Sequence, residues 1–292
     1  MDHLGDEFEE LNTDSLELDS IGSWSVRKND MVTYYAEVYS RITASANATF
    51  TRCYIDGFAN RGLSRVRDSN EVVRGSTLRL LDLAVPFDRY IFVERDPERA
   101  DDLRRNVGSR PNVEVITGDA NVELPASVFP RIAYDRYERA LCFLDPYNMS
   151  GLRWETIAAA GANQAIEAVI HFPTMDAHRT VLMSDQSKIR AAMAKKMTAY
   201  WGDDSWLEGA YTTEGMLPLV GLNPKKRSAD DIINAFRKRL MEGAGFQFVS
   251  RGLPARNSVG NIVYHLLFAS HNARAKDVMR SLESRFIEDR DG

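Results

Sequence analysis

A chain of 292 residues that is 44% hydrophobic and 27% charged has the composition of a globular protein with a sizeable core. No apolar run reaches the ~18 to 20 residues of a membrane span, and the amino terminus carries acids where a signal peptide carries positive charge, so no membrane association is expected and the location expected is cytoplasmic. The formal net charge of −5 is set by the first twenty residues, which hold eight acids and no Lys or Arg; leaving those eight out of 42 acids gives 34 against 37 bases, a body of about +3.

Residues 1–22 therefore read as an acidic, disordered leader, with residues 23–292 forming the folded domain. Residues 24–47 have helical spacing, with Tyr34, Tyr35, Val38, Tyr39 and Ile42 on one stripe. An alternation follows: an apolar run at 52–55, a helix near 71–84, a run at 90–93, a helix near 97–107, and a run at 113–117. It continues with a run at 140–144, a helix near 153–162 and a run at 168–172. Runs of four to six Val, Ile, Phe and Tyr residues separated by helices predict parallel strands covered on both faces, a doubly wound sheet.

Residues 173–228 break the alternation after the fifth strand and read as an insert. It holds a predicted helix at 184–199, the cluster Trp201, Trp206 and Tyr211, and the basic stretch Lys225, Lys226, Arg227. Residues 246–251 and 262–270 are two further strands close enough to pair as an antiparallel hairpin.

The two cysteines, Cys53 and Cys142, each lie inside an apolar run, which argues against a zinc site or a disulfide framework. The five histidines show no ligand spacing, so no metal is expected. Both thiols are expected to be buried and reduced on one face of neighbouring strands.

Four strands end on acids: Asp56 in "YIDGF", Glu94 in "IFVERDP", Asp119 in "VITGDAN" and Asp145 in "LCFLDPY". A single such acid is explained by a helix cap, whereas four in succession mark the ligand-binding edge of an open α/β sheet. The chemistry suits an adenosyl ligand with a sulfonium centre. Glu94 stands where the ribose-binding acid of dinucleotide folds stands, Asp119 is placed for the adenine amino group, and the turn after Asp56 lets backbone approach an amino-acid moiety. The glycine pattern of a nicotinamide site is absent.

The segments "YIDGFANRG", "FVERDPERADDL", "VITGDAN", "FLDPYNMSGLRW", "VIHFP" and the leading "WSVRK" through Tyr34 and Tyr35 resemble the class I S-adenosylmethionine methyltransferases and, more narrowly, the three-Cys-motif partner (TcmP) family. The resemblance covers residues 24–172 well and the rest loosely, with Asn60 standing where such loops carry glycine. It implies a Rossmann-like sheet, mostly parallel with an antiparallel C-terminal hairpin and helices on both faces. It also implies S-adenosylmethionine as cofactor along Asp56, Gly57, Phe58, Gly62, Glu94, Arg95, Asp119 and Ala120. The triplet Asp145, Pro146, Tyr147 is similar to the D-P-P-Y box of adenine amino methyltransferases, one proline short, and implies an exocyclic base amine as acceptor. Lys225, Lys226 and Arg227, with Arg237, Lys238 and Arg239 on the next helix, are candidates for following a nucleic-acid backbone, and a solvated helix face explains them equally well. The alternative function is a catalytically degenerate module that binds the cofactor or a three-Cys-motif partner protein in a phage or defence setting.

Overall fold

Short apolar runs condense into one eight-stranded sheet in the computed structural model, which describes residues 18–46, 49–183, 189–212, 225–257 and 259–288. Its strands are β1 (Thr51–Asp56), β2 (Arg89–Glu94), β3 (Val113–Thr117), β4 (Glu138–Leu144), β5 (Ile166–Phe172), β6 (Phe248–Val249), β7 (Leu253–Arg256) and β8 (Ile262–Ser270). The order across the sheet is β6-β8-β5-β4-β1-β2-β3, with β7 beside β6 on the same edge of β8. Strands β1 to β5 pair parallel, β8 runs antiparallel to β5, and β6 and β7 run antiparallel to β8. This is the Rossmann-like architecture with its terminal antiparallel hairpin that the sequence predicts.

Alternate residues of each strand serve opposite faces, and both faces are buried. Tyr54, Tyr90, Phe92, Leu141 and Phe143 pack with Met31, Val32 and Tyr35 of α1 (Ser23–Ala46), Leu103 of α3 (Pro97–Val107) and Met279 of α10 (Ala275–Glu288). Cys53, Ile55, Ile91, Val93, Cys142 and Leu144 face the other way, onto Ile157 of α5 (Trp154–Ala162) and the aromatic group Tyr200, Trp201, Trp206 and Phe236. Those aromatics come from α7 (Ala191–Trp201), α8 (Trp206–Ala210) and α9 (Ala229–Glu242). The 173–228 segment, which also contributes α6 (Thr174–Thr180), thus supplies much of one core, and its tryptophans are packed away from solvent.

Four local expectations change. Residues 71–84 are not one helix: Val72–Arg74 is a strand hairpinned on Leu63–Val66, and only α2 (Ser76–Leu80) is helical. The β-branched pair Val72 and Val73 favours the strand, Asn70 adopts φ 60° in the turn, and Ser20–Ile21 pairs parallel with the far edge of Leu63–Val66. That last pairing places part of the expected leader inside the fold, while residues 1–17 lie outside the described residues. The helix expected over 184–199 is α7, Ala191–Trp201, and residues 184–188 also lie outside them. The strand expected over 246–251 shrinks to β6, because Ser250 Oγ accepts from the Phe268 amide at 3.0 Å and Gly252 turns at φ 90°, and the connection expected after it holds β7.

In the parallel register of β1 and β4, Cys53 sits opposite Ala140 and Cys142 opposite Ile55, so the thiols lie on one face. Both are free and fully buried. Burial pushes the Cys53 thiol up to about 11 and Cys142 well above its ordinary value, which leaves almost no thiolate near pH 7. Labelling of the native protein with a maleimide should therefore be slower than that of the urea-unfolded chain by a factor of about 100 or more; comparable rates would contradict the packing.

Candidate functional site

The carboxyl edge of the parallel strands is lined by the acids that end them. Glu94 closes β2 and is 9% exposed. Its Oε2 accepts from the Asn60 amide at 2.8 Å and its Oε1 from the Asp96 amide at 2.9 Å. Each carboxylate oxygen has a second acceptor position, so Glu94 both fixes the loop after β1 and keeps capacity for two ligand hydroxyls. Asn60 makes this possible by adopting φ 55°, the left-handed region that asparagine tolerates better than other side chains do. The residue that departs from the expected glycine therefore meets the same backbone demand.

Asp119 ends the third strand's turn and caps α4 (Ala120–Glu123), accepting from the Asn121 amide at 2.9 Å. Asn121 then holds the loop after β4: its Nδ2 donates to the Gly151 carbonyl at 2.8 Å, and its Oδ1 accepts from the Arg153 amide at 2.8 Å and the Thr156 hydroxyl at 3.0 Å. Between these loops lies a cavity of about 310 Å³ lined by Gly57, Phe58, Glu94, Arg95, Gly118, Asp119, Ala120, Tyr147, Asn148, Ser150 and Gly151. That volume is at the small end of the range for ligand sites.

Six of the eight predicted cofactor residues line this cavity, and two do not. Asp56 is 1% exposed, with Oδ1 accepting from the Phe58 amide at 3.0 Å and Oδ2 from the Ser76 hydroxyl at 3.1 Å. It shapes the turn from beneath. Gly62 turns at φ 83°, and its carbonyl accepts from the Gly75 amide at 2.7 Å, joining the two ends of the small hairpin. Gly118, Asn148, Ser150 and Gly151 went unpredicted, although the turn-forming run after Tyr147 signals a loop that must fold back over the sheet edge.

Burial pushes the Asp56 carboxyl up to about 7. A carboxyl that ionises near 4 when unfolded and near 7 when folded adds stability that is fully present below pH 4 and is lost as pH rises through 7. Asp56→Asn should accordingly lose less melting temperature between pH 5 and pH 8 than wild type does. Parallel melting curves for the two proteins would refute the assignment. Glu167, also pushed to about 7 by burial, is common to both proteins and cancels in the comparison.

The acids and rings of the fourth strand's end divide between two surroundings. Tyr147 is 99% exposed at the cavity mouth, and Pro146 is buried beneath it against Gly151. Asp145 turns the other way: its Oδ2 is ion-paired with Lys28 Nζ of α1, and its Oδ1 lies 3.9 Å from His171 Nδ1 at the end of β5. Lys28 and His171 lie in the "WSVRK" and "VIHFP" segments, yet neither was singled out as a site residue, because nothing local in those segments shows that they converge on Asp145.

The predicted basic surface is mostly engaged within the chain. Lys226 Nζ lies 2.9 Å from His178 Nδ1, and Arg227 donates to the Tyr211 carbonyl at 3.1 Å. Arg237 donates to the Val249 carbonyl at 3.1 Å, Lys238 pairs with Glu242 at 3.8 Å, and Arg239 pairs with Asp203 at 2.8 Å while lying over the Trp154 ring. Lys225 is exposed. Among the described residues there is no cluster of three or more metal-ligating side chains, and no helix is long and apolar enough to cross a membrane.

No family model and no curated protein matches this chain. Among solved structures, a putative S-adenosylmethionine-dependent methyltransferase from Listeria monocytogenes is similar at 8% identity, over 77% of this chain and 93% of that one, with a TM-score of 0.41. A putative methyltransferase from Escherichia coli is similar at 13% identity, 82% and 87% coverage and a TM-score of 0.35. Fibrillarin from Aeropyrum pernix, in complex with natively bound S-adenosyl-L-methionine, is similar at 12% identity, 76% and 66% coverage and a TM-score of 0.36.

Proposed function

We propose that this protein is an S-adenosylmethionine-dependent methyltransferase. The observation that carries the reading is the cavity at the carboxyl edge of the parallel strands, with the carboxylate that ends β2 and Tyr147 of the loop after β4 both in its lining. Glu94 would accept the ribose hydroxyls, Asp119 would face the adenine amine, and the backbone at Gly57 and Phe58 would border the amino-acid end. The donor set fits the group, because Glu94 has two acceptor positions left after binding the Asn60 and Asp96 amides. When bound, the cofactor supplies an electrophilic methyl group on sulfur.

The acceptor proposed is an exocyclic amine of a nucleic-acid base. Tyr147, almost wholly exposed at the mouth, presents a free ring face for stacking on a base drawn out of its helix. Asp145 and the Pro146 carbonyl would accept the amine's hydrogens and aim its lone pair, so that orientation provides much of the acceleration. A second reading, a binding module for a three-Cys-motif partner protein, is favoured by the ion pair that already engages Asp145 inside the chain.

Calorimetric titration of S-adenosylmethionine separates the two. Binding at micromolar ligand supports the enzyme, and no binding at millimolar ligand supports the module. With binding established, labelled cofactor incubated with total cellular nucleic acid tests the acceptor: label in DNA or RNA supports a base amine, and label in protein alone overturns it.

A further inference from the structure

Four side chains from four separate segments meet around Asp145, two residues before Tyr147 of the cavity lining, and take no part in cofactor binding as proposed. Lys28 comes from α1, Asp145 from the end of β4, His171 from the end of β5 and Tyr264 from β8. Lys28 Nζ touches Asp145 Oδ2 and stands 5.7 Å from the centre of the Tyr264 ring. His171, 7% exposed, aims its Nδ1 at Asp145 Oδ1 from 3.9 Å, and that nitrogen has no hydrogen-bond partner. The His171 and Tyr264 rings contact each other at 4.7 Å, and the Tyr264 hydroxyl donates to the Trp24 carbonyl at 2.9 Å, which holds the ring in place.

A carboxylate, an aromatic face and an uncharged imidazole together make a receptor for an amine or ammonium group. Burial pushes the His171 imidazole down to about 4, so near pH 7 it adds no positive charge to compete for Asp145. The ammonium in the receptor belongs to the protein itself. The Lys28 and Asp145 side chains are 15% and 16% exposed, at the edge of the fold, and the four-carbon lysine stem can swing out by side-chain rotation while α1 stays docked.

We propose that Lys28 is an internal mimic of the acceptor amine: it occupies the acceptor's place on Asp145, and a substrate amine must displace it to be methylated. This rests on the methyltransferase reading and adds to it a built-in block at the acceptor subsite. A substrate that carries its own phosphates would draw the released lysine outward and help to keep the subsite open.

The test needs no knowledge of the acceptor. Sinefungin carries a primary amine where S-adenosylmethionine carries its methyl group, whereas S-adenosylhomocysteine carries nothing there. Their dissociation constants are measured by calorimetry on wild type, Lys28→Met, Lys28→Gln and the double variant Lys28→Met/Asp145→Asn, with thermal melts to confirm folding. In both single variants the preference for sinefungin over S-adenosylhomocysteine should rise about tenfold over wild type, because its amine takes the vacated contact. The double variant should lose that gain. If both compounds bind and the ratio is the same in wild type and in both Lys28 variants, the mimic is overturned and the cofactor site survives. If neither compound binds any of the four proteins, the cofactor site falls and the mimic with it.

Discussion

Replacing Glu94 by alanine should weaken S-adenosylmethionine binding by about a hundredfold. Two hydrogen bonds from ribose hydroxyls to a carboxylate are together worth about 3 kcal/mol, which is that factor in a dissociation constant. The same change also frees the Asn60 and Asp96 amides, so part of the loss arises through the loop. Glu94→Gln separates the contributions. One amide oxygen can still accept from Asn60, and an affinity between those of wild type and Glu94→Ala is expected. Calorimetric affinities for the three proteins decide it, and an unchanged constant for Glu94→Ala would remove the cofactor from this end of the cavity.

Replacing Asp145 by alanine should reduce methyl transfer by a factor of about a thousand or more while leaving cofactor affinity within a few fold. Interactions made with the acceptor, not with the cofactor, show in turnover and not in cofactor binding. The truncation leaves the Lys28 ammonium without its partner at a site where the lysine is only 15% exposed, and unpaired charge at such a place costs stability. Asp145→Asn keeps the shape and serves as the folded control. Radiolabel incorporation with substrate saturating, alongside a cofactor titration, checks both halves. Equal loss of affinity and turnover in Asp145→Asn would place Asp145 in the cofactor site.

The sheet was readable because strands buried on both faces are continuous apolar runs, and the acid that stops each one stands out. Arg89–Glu94 is such a case: Tyr90 to Val93 are all buried and Glu94 meets the cavity. What escaped depended on partners far away in the sequence. Residues 71–84 have helical composition, yet Val72–Arg74 becomes a strand through Leu63–Val66 and, beyond it, Ser20–Ile21. Asp56 looked identical in kind to Glu94, and only the Ser76 hydroxyl and the surrounding core make it a buried structural acid. Lys28 and Asp145 are separated by 117 residues, a distance over which no local pattern forecasts a contact.

The helix that carries Lys28 is held by α10 and β8. Arg27 donates to the Phe286 carbonyl at 3.0 Å, Tyr34 meets the Phe286 ring edge-on at 5.9 Å with Arg285 over its face, and Trp24 receives the Tyr264 hydroxyl. During synthesis α1 emerges ahead of the sheet, and β8 and α10, which seat it, emerge after the parallel strands. A nascent chain can form the carboxyl edge of β1 to β4 while Asp145 still has no lysine fixed against it. Lys28 is fixed against Asp145 only once β8 and α10 have docked, so the carboxylate at the end of β4 is in place before its cation.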